Sequence, residues 1–199
     1  MPMGNMISVG ILLFNEVEVL DFAGPFEVFS LAEKNREKLF RVLTIGENGE
    51  MIHARNGLKV MPELNFATCP DLDILIIPGG YGAEHLEIKN QVVIDWIRDQ
   101  QQKVKILASV CTGALLLAAT GLLNGKKATT HRMDIDRLEQ EFPSVNVVRN
   151  VKYVDEGNII SSGGISAGIS MSFHIVKRFA GIEVARQTAK RMEYEINIE

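Results

Sequence analysis

The sequence predicts an α/β chain: an open, doubly wound, mostly parallel sheet with helices on both faces and a small β-hairpin unit beside it. Two observations predict it. Short apolar runs, ISVGILLF (7–14), FRVLTIG (40–46), DILIIPG (73–79) and VKILASV (104–110), alternate with segments of helical period. The middle two or three of those runs are apolar throughout, as strands covered on both faces are. At 199 residues and roughly 150 residues per domain, the chain reads as one domain over 1–199. A domain of that size buries about 70% of the surface its unfolded chain exposes, so it needs neither metal nor disulfide to stand.

After the first strand, Pro25 is suited to a first helical position, and FEVFSLAEK continues that helix to about Lys34. HARNGLKVMP reads as a short extended pair turning at Asn56-Gly57. Val93, Trp96 and Ile97 share one helical face, Ile135, Leu138 and Phe142 a second, and Val184, Thr188 and Met192 a third. VKYVDEGNIISS reads as a hairpin around Asp155-Glu156-Gly157-Asn158. A helix from about Ser166 to Phe179 follows GGISAG, and the last begins near Ile182. The run Ile106 to Leu123 has no charge over 18 residues, the lower limit for a membrane span, but its two halves differ in character and suit a buried strand turning into a buried helix.

Composition narrows the function. Lys and Arg total 21 against 25 Asp and Glu, a net charge of −4 with no long basic run, which argues against nucleic acid. The amino terminus has no Lys or Arg before Lys34, so it lacks the positive region of a secretory leader, and a cytoplasmic location is expected. Only two cysteines occur, Cys69 and Cys111, too few for a disulfide framework. No histidine pair has metal-ligand spacing, and neither a Walker pattern nor GxGxxG is present, so neither metal nor cofactor is expected.

In a doubly wound sheet, ligands bind outside the carboxyl ends of the strands. Three ends qualify: Phe14 to Asp21, Pro78 to Gly82 and Ser109 to Gly113. At the last, a buried strand delivers Cys111 directly into a helix, with Ser109 two residues before and Gly113 two after. That is the layout of a nucleophile elbow, where small flanking residues permit a sharp turn. The helix start is expected to favour thiolate and lower the thiol pKa; a buried, inert cysteine is the plainer alternative. Thr112 offers a backbone N–H as an oxyanion donor and a hydroxyl for the sulfur or a neighbouring group; capping the helix is the plainer role, and the two can coexist. Gly79-Gly80 lets backbone approach a ligand and offer amides. Asp21 reads equally as a helix cap or as an acid-base group facing the thiol. His131 follows a short strand and is a candidate to approach the sulfur; His53 and His85 read as loop residues and His174 as a helix-face residue.

The segments LDFAGPFEVF, IIPGGYG, ASVCTGALLLAATGLLNGKKATTH and SSGGISAGIS together resemble the ThiJ/PfpI superfamily, with a fold like the class I glutamine amidotransferases, in the branch that contains isonitrile (isocyanide) hydratase. The resemblance spans nearly the whole chain. It implies a flavodoxin-like fold, Cys111 and Thr112 as the nucleophile pair, Asp21 as acid-base group, and a homodimer; Gly79, Gly80 and His131 are expected around the substrate from their places at the strand ends. Protease-like members carry His after the cysteine; Thr112 departs from that, and peptidase activity is disfavoured. Similar segments occur in the amino-terminal domains of AraC-type regulators, but this sequence ends at Glu199 with no helix-turn-helix pattern. Arg132 stands after His131 where relatives often place an aromatic.

The expected reaction is cofactor-independent hydration of a small electrophile, an isocyanide, to an N-substituted formamide through a thioimidate on Cys111. Two alternatives stand beside it. One is a glyoxalase or deglycase acting on an aldehyde; the other is a non-catalytic ligand or redox sensor whose cysteine oxidises without turnover.

Overall fold

The computed structural model describes residues 6–196. Residues 1–5, part of the stretch on which the leader expectation rests, lie outside them. The central sheet has seven strands: β1 (Ile7–Leu13), β2 (Phe40–Gly46), β3 (Leu64–Asn65), β4 (Ile74–Ile77), β5 (Ile106–Ser109), β6 (Tyr153–Asp155) and β7 (Ile159–Ser162). Their order is β6-β7-β5-β4-β1-β2-β3, and every pairing is parallel except the β6–β7 hairpin.

The helices are α1 (Val19–Leu31), α2 (Tyr81–His85), α3 (Gln91–Gln101), α4 (Gly113–Ala119), α5 (Ile135–Glu141), α6 (Ala167–Ala180) and α7 (Ile182–Arg191). α1, α6 and α7 pack together, and α2, α3 and α4 form a second group. Between those layers β4 and β5 are buried along their whole length, which is why their sequences are unbroken apolar runs rather than alternating ones. Phe40 on β2 packs against Phe29 of α1 at a ring-centre distance of 5.2 Å and against Phe179 of α6 at 6.4 Å. The run 106–123 divides into β5, a tight turn at Cys111-Thr112 and α4. No helix of the described residues is long and apolar enough to cross a membrane.

Several local expectations change. The first helix starts at Val19, not Pro25, because the Glu18 N–H is anchored on the Gly79 carbonyl at 2.9 Å and Phe22, ahead of the proline, is already buried. Pro25 therefore lies inside the helix, where its missing N–H leaves the Asp21 carbonyl without the usual partner. Nor does the helix reach Lys34: it ends at Leu31, and a hairpin pairing Glu33–Lys34 with Glu37–Lys38 turns on Asn35 and Arg36, both at positive φ. Finally, the 151–162 hairpin extends the main sheet instead of standing apart, since β7 runs parallel to β5 with Ser161 opposite Ser109. The pair around Asn56-Gly57 does stand apart, as Ile52–His53 against Lys59–Val60. His53 thus lies in a strand and His85 at the end of α2, not in loops.

Phe40 is buried where the sheet meets two helices of one layer. Phe40→Ala is expected to cost about 3–5 kcal/mol of stability, measured as a lower urea midpoint with an unchanged slope.

Candidate active site

Neighbouring strands in the order β7-β5-β4-β1 bring four loop segments to one edge of the sheet. The order reverses between β1 and β4, so Asp21 and Gly79-Gly80 flank the switch point. Cys111 and Thr112 arrive from β5, and residues 163–166 from β7.

Cys111 is the pivot. Its φ is 56°, a left-handed conformation that a side-chain-bearing residue adopts only when its surroundings hold it there. They do so through three hydrogen bonds: Cys111 N–H donates to Gly163 O at 3.1 Å, Thr130 Oγ1 donates to Cys111 O at 2.8 Å, and Val110 N–H donates to Ile77 O at 2.9 Å. Gly113 is required because a Cβ there would collide with the Ile77 carbonyl oxygen. The small-x-nucleophile-x-Gly spacing is thus a packing constraint between α4 and the end of β4.

Asp21 lies in the first turn of α1 and is completely buried. It does not cap its own helix; Oδ2 accepts the Gly79 N–H at 2.9 Å. Oδ1 is also buried and has no partner at hydrogen-bond geometry; the Cys111 thiol and the Ile165 N–H lie near enough to act on the carboxyl without closing a hydrogen bond to it. Buried acceptors without partners are rare and mark places where function outweighs stability. Burial raises the Asp21 pKa to about 7; the Gly79 N–H opposes this, Glu18 adds to it, and the Cys111 thiol and Ile165 N–H pull it back down.

The thiol moves the other way from the expectation. Burial, and then the neighbouring Asp21 charge, raise the Cys111 pKa well above the ordinary thiol value, while the amides of Thr112 and Ile165 oppose the rise. The reason is local. In the first turn of α4, Gly113 N–H donates to Val110 O and Ala114 N–H to Cys111 O, so those amides are not turned to the sulfur. Burial and the facing carboxyl thus both favour the protonated thiol.

Thr112 is fully buried, and its hydroxyl neither caps α4 nor meets the sulfur; Oγ1 accepts the Gly80 N–H at 2.9 Å. The Gly79 and Gly80 amides are accordingly engaged by Asp21 and Thr112 instead of being open to a ligand. These two glycines permit contact: a Cβ at Gly79 would strike Thr112, and Gly80 has a φ of 118° against the Glu18 backbone. The amides that do act on the sulfur belong to Thr112 and Ile165. Ile165 carries no signal of this role in its residue type. A β-branched side chain at φ 51° is strained, and the clue is indirect, in the two glycines before it.

His131 sits against Gly164, where a Cβ would collide with its ring. Its Nδ1 lies 3.3 Å from Asp134 Oδ2, a partner the sequence pattern had not indicated. His174, on α6, pairs with Asp155 at 2.7 Å away from the site and ties the hairpin to the helix. A cleft of about 610 Å³ lined by Thr130, His131, Arg132, Lys152 and Gly163 to Ile165, among others, opens beside the cysteine segment. Both cysteines are free, and no cluster of three or more His, Cys, Asp or Glu suited to a metal occurs among the described residues.

Because the folded pKa of Asp21 exceeds its unfolded value, its contribution to stability is complete at acid pH and is lost as pH rises from about 4 through about 7. Asp21→Asn keeps an oxygen for the Gly79 N–H and removes the charge. The variant is expected to be more stable than wild type at pH 8, with a flatter dependence of the urea midpoint on pH across that window.

The chain is 33% identical over 190 residues to an isonitrile hydratase of Pseudomonas putida, covering 94% of this chain and 78% of that protein. It is 27% identical to the HTH-type transcriptional regulator GbdR of Pseudomonas aeruginosa, covering 96% of this chain but only 52% of that regulator. A ThiJ/PfpI family protein from Pseudomonas syringae superimposes with a TM-score of 0.83 at 26% identity, over 98% of this chain and 78% of that one. Drosophila melanogaster DJ-1beta superimposes with a TM-score of 0.83 at 22% identity over 96% of this chain and 99% of that one, a likeness of fold alone. The model of the DJ-1/PfpI family matches residues 7–178, and the chain belongs to that family.

Proposed function

We propose that the protein adds water to an isocyanide, giving an N-substituted formamide, with Cys111 as nucleophile and Asp21 as the group that moves the proton. One observation carries the reading: a buried carboxyl with one oxygen fixed by Gly79 and the other unpartnered, acting on the sulfur at a strained strand-to-helix turn. Similarity to the Pseudomonas putida hydratase supports the choice of electrophile.

The ionised Asp21 accepts the thiol proton as Cys111 Sγ bonds to the terminal isocyanide carbon, and it delivers that proton to the same carbon, giving a thioimidate. Water then attacks the thioimidate carbon; Asp21 takes one of its protons and passes it to the substrate nitrogen. The C–S bond breaks, the departing sulfur takes up the remaining hydroxyl proton by way of Asp21, and the formamide leaves. Net change is the addition of one water. The Thr112 and Ile165 amides steady the charge on sulfur as it leaves, while the Thr112 hydroxyl positions the loop at Gly80. His131 and its partner Asp134 flank the site without a required proton transfer.

The reading includes a homodimer in the cytoplasm. Leu20 and Phe26 on α1 and Ile165 beside the site expose apolar surface that a second copy would cover, and two free thiols suit a reducing compartment. A ligand-sensing role is the second reading, favoured by the likeness to GbdR over 192 residues.

Incubation with an aryl isocyanide, followed by chromatography, is expected to yield the matching formamide. Cys111→Ala is expected to abolish it; Asp21→Asn to lower kcat by about 10²–10⁴-fold; and Thr112→Val, which removes one hydrogen bond, by roughly tenfold. Binding without turnover would favour the sensor, and lactate from methylglyoxal with no formamide would favour the aldehyde chemistry. The Asp21 carboxyl near pH 7 sets the pH profile: kcat/KM rises through about pH 7 as the dyad passes from two protons to one, and that inflection is absent in Asp21→Asn.

A further inference from the structure

Three cationic residues line the cleft, which adjoins the Cys111 segment at Thr130 and Gly163 without including Cys111 itself: Arg132, Arg149 and Lys152. They are not equivalent. Arg149 is already neutralised by Asp136 at 2.8 Å and Glu139 at 2.6 Å. Arg132 and Lys152 make no side-chain hydrogen bond or ion pair among the described residues. No Asp or Glu is among the residues lining the cleft, and the nearby Asp134 faces its own His131.

Both cations are tied to the nucleophile through the backbone. Cys111 N–H donates to Gly163 O at 3.1 Å, and Gly163 N–H donates to Lys152 O at 2.9 Å. On the other side Thr130 Oγ1 donates to Cys111 O at 2.8 Å, and Arg132 follows two residues later. The segments that fix the strained turn are therefore those that present the two unpaired charges.

We propose that the substrate is anionic: a small electrophile bearing a carboxylate, which Arg132 and Lys152 hold in the 610 Å³ cleft while the reactive carbon reaches Cys111. This rests on the reading of Cys111 as nucleophile. The arginine fork suits a carboxylate, and the lysine adds a point charge. The cleft falls within the range of about 300–1,000 Å³ typical of small-molecule sites. Arg132 and Lys152 are solvent-exposed, so a neutral isocyanide would not engage them; a carboxylated one pairs with both and thereby fixes which end enters first.

Charge preference at the sulfur is measurable without any assumption about turnover. Cys111 is alkylated with iodoacetate or with its neutral counterpart iodoacetamide, and peptide mass spectrometry reads Cys111 and, as internal reference, Cys69. At low salt the iodoacetate-to-iodoacetamide rate ratio is expected to be about tenfold higher at Cys111 than at Cys69. It should fall at least about fivefold in Arg132→Gln/Lys152→Gln and decline with added salt. Equal ratios at the two cysteines, a ratio unmoved in the double variant, or no reaction of Cys111 with either reagent overturns the proposal. Turnover is read in parallel with isocyanoacetate and its methyl ester. Formamide from neither, with the alkylation ratio as expected, overturns the hydratase reading alone; formamide from the ester with a flat alkylation ratio overturns the anionic substrate alone.

Discussion

The contact between the end of β4 and the start of α4 is the constraint on which the site depends. The Ile77 carbonyl accepts the Val110 N–H and leaves no room for a side chain at Gly113. Helix and strand can meet that closely only if the chain reverses within two residues, which forces Cys111 to φ 56°. Backbone strain of this kind costs on the order of 1–3 kcal/mol. The sheet and two helical layers supply it, and the sulfur is set at the rim of a parallel sheet beside the switch in strand order.

A second cost lies beside the first. Asp21 is a carboxyl without solvent, and one of its oxygens has no partner. A fold selected for stability alone would place an apolar residue there or complete the hydrogen bonding. Gly79 satisfies one oxygen, Thr112 braces Gly80, and the remaining oxygen has no hydrogen-bond partner. Thr112 thereby joins the elbow to the Gly79-Gly80 loop and keeps carboxyl and thiol in one rigid frame.

Much of this was legible in the residues. The strand cores at 7–13, 40–46, 74–77 and 106–109 appear as apolar runs because helices cover both faces, and Cys111 stood out because its small neighbours carry information about the turn. Less legible were features set by tertiary contact. Pro25 marks a helix start in isolation, yet the Glu18–Gly79 hydrogen bond starts α1 six residues earlier and draws Asp21 into the interior. A helix start promised a low thiol pKa, but burial and an acidic neighbour outweigh the Thr112 amide. Ile165 was silent, since an apolar β-branched residue gives no hint that its backbone N–H serves the sulfur. Lys152 was no more informative, and Arg132 stood out only as a replacement for an aromatic, because whether a surface cation has a partner is decided by residues distant in sequence.

The account comes down to whether one proton is shared between a sulfur and a carboxyl shielded from water. Carbon-13 NMR of the Asp21 carboxyl, followed through pH in wild type and in Cys111→Ser, tests that directly. A midpoint near 7 is expected, with a displaced midpoint once the sulfur is replaced. A carboxyl that titrates near its ordinary value of 3.8 and is indifferent to the residue at position 111 would contradict it.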